Sequence, residues 1–113
     1  MSLPPSLSAS ETAAIHEFMA AVRSTLGDDL KDARLFGSRS RGEGHEHSDI
    51  DVALIVGAGW RAARHRLYDL AFDVGVAHGV ELAPLVIEEA RFQEMKSRER
   101  SIALDIAARG IPL

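Results

Sequence analysis

Apolar residues at Ala14, Ile15, Phe18, Met19, Val22 and Leu26 recur at three- and four-residue intervals, the stripe of a helix that buries one face. Ahead of it, Ser8-Ala9-Ser10-Glu11 fits a capping box with Ser8 as N-cap, and Gly27 stops the run. The next apolar run, Ala33 to Phe36, is short enough for a strand and ends at Gly37-Ser38. Residues 39 to 47 are polar and punctuated by glycine, which predicts a loop or a short exposed turn of helix. From Ile50 to Val56 apolar residues fall on both sides of the chain, so this strand is expected to be covered on both faces. Gly57-Ala58-Gly59 breaks it. Trp60, Ala63, Leu67, Leu70, Ala71 and Val74 then return to helical spacing, predicting a helix from Trp60 to Ala77 that ends at Gly79. Val80 to Ile87 reads as a third strand in which Pro84 fits an edge or a bulge. A last helical region opens at Glu88-Glu89, runs through Phe92, Met95, Ile102, Leu104, Ile106 and Ala107, and closes at Gly110. This order predicts an α/β (α+β) domain, a small mixed sheet of three or more strands with helices packed against it. Residues 1–9 are expected to form a flexible leader and residues 10–113 a single domain.

Composition narrows the class. The chain has 113 residues, enough for one hydrophobic core and too few for two. It has no cysteine, which excludes disulfides and thiolate zinc sites and fits a reducing cytoplasm. The start lacks a basic and apolar targeting pattern, and no apolar run approaches the ~20 residues that cross a bilayer. A formal net charge of −4 argues against a surface that holds long nucleic acid by neutralising phosphates. A small anionic ligand carried by a metal remains compatible with it.

Within this frame Asp49 and Asp51 stand out, because they sit at the mouth of a strand that is otherwise apolar. Buried carboxylates protonate, pair or bind a metal. Side chains two apart on a strand point to the same side, ~6.6 Å apart along the chain, so both acids can lean toward one point. Two divalent ions ~3.5 to 4 Å apart, bridged by one carboxylate and flanked by another, can hold the attacking and departing oxygens of a phosphoryl displacement. Magnesium suits such an oxygen-only set. A calcium loop does not fit, since Ile50 and Val52 occupy its spacer positions. The plainer alternative, a turn capped by Ser48-Asp49, leaves Asp51 unexplained inside the apolar run.

Upstream, Gly37 permits a tight turn that would let the Ser38 amide and hydroxyl approach phosphate oxygens, with Arg39 and Arg41 at hand for the remaining charge. Alone, Gly37-Ser38 would be an ordinary strand-ending turn. A third acid, Glu81, lies in the apolar setting Gly79-Val80-Glu81-Leu82-Ala83 at the start of the third strand, beside strand two if the pair forms. It is a candidate metal ligand and base, or alternatively a charge that guards a sheet edge. His45 and His47 read as solvated loop histidines, and Arg61, Arg64 and Arg66 as a solvated helix face. Trp60 reads first as core and second as an edge of a nucleotide pocket.

Gly37-Ser38-x-x-Arg41-Gly42, followed after five residues by Ser48-Asp49-Ile50-Asp51, resembles the signature of the nucleotidyltransferase superfamily typified by DNA polymerase beta and kanamycin nucleotidyltransferase. The order of elements over residues 10 to 110 is most similar to the minimal nucleotidyltransferase branch. The resemblance implies the nucleotidyltransferase fold and transfer of a nucleoside monophosphate, usually AMP from ATP, to an acceptor with release of pyrophosphate. It implies that Gly37 and Ser38 bind the triphosphate, with Arg39, Arg41 and Ser48 among the nucleotide-binding residues. Asp49, Asp51 and Glu81 would be the catalytic acids and the ligands of two Mg2+ ions. Glu81 stands where the family usually has aspartate, and Ser40 where many minimal members have alanine. The acceptor is expected to be a partner protein of the helical HEPN kind found with minimal nucleotidyltransferases in toxin-antitoxin pairs, with a homo-oligomer as the simpler assembly. A contrasting expectation is a catalytically weak or inactive module that neutralises its partner by contact. An RNA-modifying transferase is disfavoured by the acidic balance.

Overall fold

A computed structural model describes residues 3–37 and 49–113. The first helix, α1 (Ala9–Leu26), starts where the capping box places it: the Ser8 hydroxyl accepts from the Glu11 amide at 3.1 Å, and the Ser8 amide donates to Glu11 Oε1 at 2.7 Å. Its apolar stripe is buried from Ala14 to Leu26. Ahead of the cap, Leu7 is buried in the core and Leu3 packs against it. A 3-10 turn leads into β1 (Leu30–Phe36), which starts three residues earlier than the apolar run indicated. Then come β2 (Ile50–Val56), a second 3-10 turn over Ala58–Ala63, α2 (Arg64–His78) and β3 (Leu82–Glu88). The region expected as one last helix is two, α3 (Glu89–Ser97) and α4 (Ser101–Arg109). Between them the polar run from Lys96 to Arg100 has no apolar residue to hold it on the sheet, and Glu99 turns with a positive φ of 55°. A strand of two residues, β4 (Ile111–Pro112), follows, too short to leave a sequence pattern.

The sheet is mixed, in the order β3-β2-β1-β4. β1 runs antiparallel to β2 and to β4, and β2 runs parallel to β3. A parallel pair needs a crossover, and α2 supplies it. Side-chain alternation along β2 divides the core in two. Ile50, Val52, Leu54 and Val56 face α1 and α2, where Phe18, Val22, Leu67 and Ala71 meet them. Ala53 and Ile55 face the other way, onto Ile87, Phe92 of α3, and Ala103 and Ile106 of α4. This confirms the expectation of a strand covered on both sides. β3 is an edge strand, as Pro84 suggested. At its upstream end, Gly75 in α2 lies so near the returning chain that a Cβ there would be 2.6 Å from the Val80 carbonyl oxygen. Among the described residues, no helix is long and apolar enough to cross a membrane.

At the downstream end of β2, Trp60 is buried in the core and its indole N–H donates to Glu88 Oε2 at 3.0 Å. Arg61 grips the same carboxylate with both arms, at 2.9 and 3.0 Å. These contacts, the Arg61 fork first and the indole second, hold the Glu88 carboxyl below the usual carboxylate range.

Two outcomes follow from this packing. Leu54→Ala, at a site with no exposure, should lower the free energy of urea unfolding by about 2–5 kcal/mol. Glu88, whose folded pKa is depressed, contributes stability that is present above its ordinary value of 4.5 and is lost as pH falls through the folded value. Glu88→Gln should therefore lower the urea midpoint at pH 7 by more than at pH 3, with Trp60 fluorescence as the readout.

Candidate active site

The parallel pairing of β2 and β3 sets Ile50 beside Leu82 and Asp51 beside Ala83. At its start the Ile50 amide donates to the Glu81 carbonyl oxygen at 2.9 Å. Asp51 continues the row of Ala53 and Ile55, and Glu81 the row of Leu85 and Ile87, so both project on the side of the sheet covered farther along by α3 and α4. Asp49, one step outside β2, reaches the same place and shares a side-chain hydrogen bond with Glu81. Asp49 thus stands beside both Glu81 and Asp51, where β2 and β3 begin and β1 ends.

Their electrostatics follow from that crowding. The Glu81 carboxyl is raised above its ordinary value, first by its hydrogen bond to Asp49 and then by the repulsion of the same group. Two carboxyl groups bond to one another only when one of them carries a proton. Asp51, half-buried, is raised by desolvation and, secondarily, by Asp49. Asp49 therefore links the other two. Among the described residues no three His, Cys, Asp or Glu side chains already form a group that could hold a metal ion. The donors present are nonetheless hard oxygens whose mutual repulsion a divalent cation would relieve.

Gly37 sits against this cluster. Its φ is +78°, and a Cβ there would lie 2.5 Å from Asp51 Oδ2. Phe36, just before it, is the ladder partner of Asp51. The glycine foreseen as a tight turn is thus also required for close approach to an acid, a second reason the sequence alone did not reveal. Ser38, Arg39, Arg41 and Ser48, expected to contact the nucleotide, lie outside the described residues, as do His45 and His47.

One expectation needs correction. Trp60 does not edge this site; it lies at the opposite end of β2, bound to Glu88. Arg61, Arg64 and Arg66 are exposed as expected, and in addition Arg61 pairs with Glu88 and Arg64 stacks 5.8 Å above the Trp60 ring. The Trp60-Arg61-Glu88 contact had no sequence signal, since it joins residues 28 apart that each have an ordinary separate reading.

Gly37→Ala should cost about 1–2 kcal/mol from the backbone alone and displace the Asp51 side chain, measurable as a lower melting temperature. Asp51 has a raised folded pKa, so its contribution favours the fold below its ordinary value of 3.8 and is lost as pH rises through the folded value. Asp51→Asn should consequently raise the urea midpoint of the metal-free protein at pH 7, with the gain shrinking as pH falls toward 3.8 and absent below it.

Residues 15–106 match the family described as Nucleotidyltransferase domain. A candidate protein adenylyltransferase of Methanocaldococcus jannaschii, MJ1305, is 32% identical over 77 residues, covering 66% of this chain. The chain spans about half (52%) of that relative's length. A solved minimal nucleotidyltransferase structure superposes with a TM-score of 0.56 at 21% identity, covering 92% of this chain and 95% of that one. A chain of the MntA-HpeT toxin-antitoxin structure does so with a TM-score of 0.53 at 22% identity, covering 88% and 70%. At those identities the structures speak for the fold, and the sequence match over most of the chain speaks for descent: this chain belongs to the nucleotidyltransferase domain family.

Proposed function

We propose that this chain transfers AMP from ATP to a hydroxyl of an acceptor, with magnesium as the metal and a partner protein as the acceptor. The observation that carries this reading is the placing of Asp49 beside both Asp51 and Glu81 at one end of the β2-β3 pair, in a chain of this family. The fold likeness to a chain of a toxin-antitoxin structure and the sequence likeness to a candidate protein adenylyltransferase support a protein acceptor, with a helical HEPN-type protein as the favoured partner.

In this reaction the acceptor oxygen forms a bond to the α-phosphorus while the bond from that phosphorus to the pyrophosphate oxygen breaks. Asp49 and Asp51, with Glu81 beside them, would hold two magnesium ions, which when bound supply positive charge to the phosphate oxygens. Glu81 lies at the exposed rim, where its carboxylate can take the proton leaving the acceptor hydroxyl. Gly37 keeps the space over Asp51 open. Ser38, Arg39, Arg41 and Ser48 are assigned to the triphosphate.

The test is incubation of the purified chain with labelled ATP, magnesium and the products of adjacent genes. Asp49→Asn and Asp51→Asn should each reduce label transfer by roughly a hundredfold or more, because a lost ligand removes several kcal/mol of charge stabilisation and ~1.4 kcal/mol is tenfold in rate. Glu81→Gln should also reduce transfer, and Glu81→Asp should retain more of it. Transfer unchanged in the aspartate variants would defeat the reading. Neutralisation of a partner that survives both variants would assign the contact-only module instead.

A further inference from the structure

Tyr68, Phe72 and Val76 stand four residues apart on α2 and are 44%, 71% and 66% exposed. That spacing sets them in one row along the helix. The row runs into a cleft of about 500 Å³ lined by Phe72, Gly75, Val76, Val80, Glu81 and Leu82. Single apolar residues on a surface need no explanation, but a row that ends in an apolar cleft marks a contact surface.

Its rim is acidic. Asp69 precedes Phe72 by three residues and Asp73 precedes Val76 by three, the separation at which helix side chains are neighbours. Both are exposed. Among the described residues neither aspartate is ion-paired. The acidic rim selects the occupant. Nucleic acid and anionic lipid would be repelled. A second copy is disfavoured too: two α2 helices paired antiparallel about Phe72 would line Asp69 and Asp73 of both chains along one rim, where like charges repel.

The neighbouring sheet edge offers no alternative. Because Ile50 bonds to the Glu81 carbonyl, the parallel ladder turns Leu82, Pro84, Val86 and Glu88 outward. Pro84 has no N–H to give an added strand.

We infer that the Tyr68-Phe72-Val76 row docks an amphipathic helix of a partner protein, one with apolar residues at matching spacing flanked by lysine or arginine. Helix-in-groove recognition supplies the apolar contact, and the acidic rim the selectivity. This goes beyond the transferase reading and stands without it, since docking needs the row and its rim but no catalysis.

The probes are two fluorescent peptides of roughly 18 residues, long enough for helix to form in water. One carries a leucine row flanked by lysine, the other the same row flanked by glutamate. In anisotropy titrations with the full chain the lysine peptide should bind at least about tenfold more tightly. Phe72→Ser should weaken it at least about tenfold with an unchanged melting curve. Asp69→Lys combined with Asp73→Lys should invert the preference. Equal binding of the two peptides, no binding of either, or a lysine-peptide affinity indifferent to Phe72→Ser would each overturn the inference. So would a wild-type dimer in sedimentation that Phe72→Ser dissociates, which would give the row to a second copy.

Discussion

The hydrogen bond from the Ile50 amide to the Glu81 carbonyl fixes the start of the parallel strand pair β2-β3. Everything at the candidate site depends on that register. A slip by one residue would turn Asp51 from the α3-α4 side to the α1-α2 side and bury a carboxylate among Phe18, Val22 and Leu67. The apolar rows on both sides of β2 therefore hold the acids in place as well as the fold.

This division also accounts for where the sheet is generous and where it is strict. On the α1-α2 side the packing is broad, from Leu7 in the leader to Val74 at the far end of α2. On the α3-α4 side it is compact, built from Ala53, Ile55, Ile87, Phe92, Ala103 and Ile106. The acids lie beyond the end of that smaller cluster, where the helices stop covering the sheet. Asp49 and Glu81 are exposed there, so solutes can reach the carboxylates without opening the larger core.

Much of this was legible in the sequence, for identifiable reasons. Asp49 and Asp51 announced themselves because an acid inside an apolar strand has few inexpensive explanations. Glu81 did so because a charge in a run of small apolar residues lacks one. Gly37 was readable as a turn. What it faces was not, since the proximity of its α-carbon to Asp51 depends on the Phe36-Asp51 ladder pair. The break between α3 and α4 was hidden because apolar spacing resumes in phase on the far side of Arg100. The two-residue β4 and the Trp60-Glu88 contact were hidden for the opposite reasons, one too short to form a pattern and the other too distant along the chain.

Phe36 and Asp51 are direct neighbours across the ladder, so whatever chain joins β1 to β2 departs from and returns to one point. Lengthening such a connection costs only ~0.6 kcal/mol per doubling of its length. Evolution can therefore rewrite the segment that carries Arg39 and Arg41, in length and in composition, while the acids stay anchored by strands that never feel the change. Change in that segment and retention of the acids are in that sense separable.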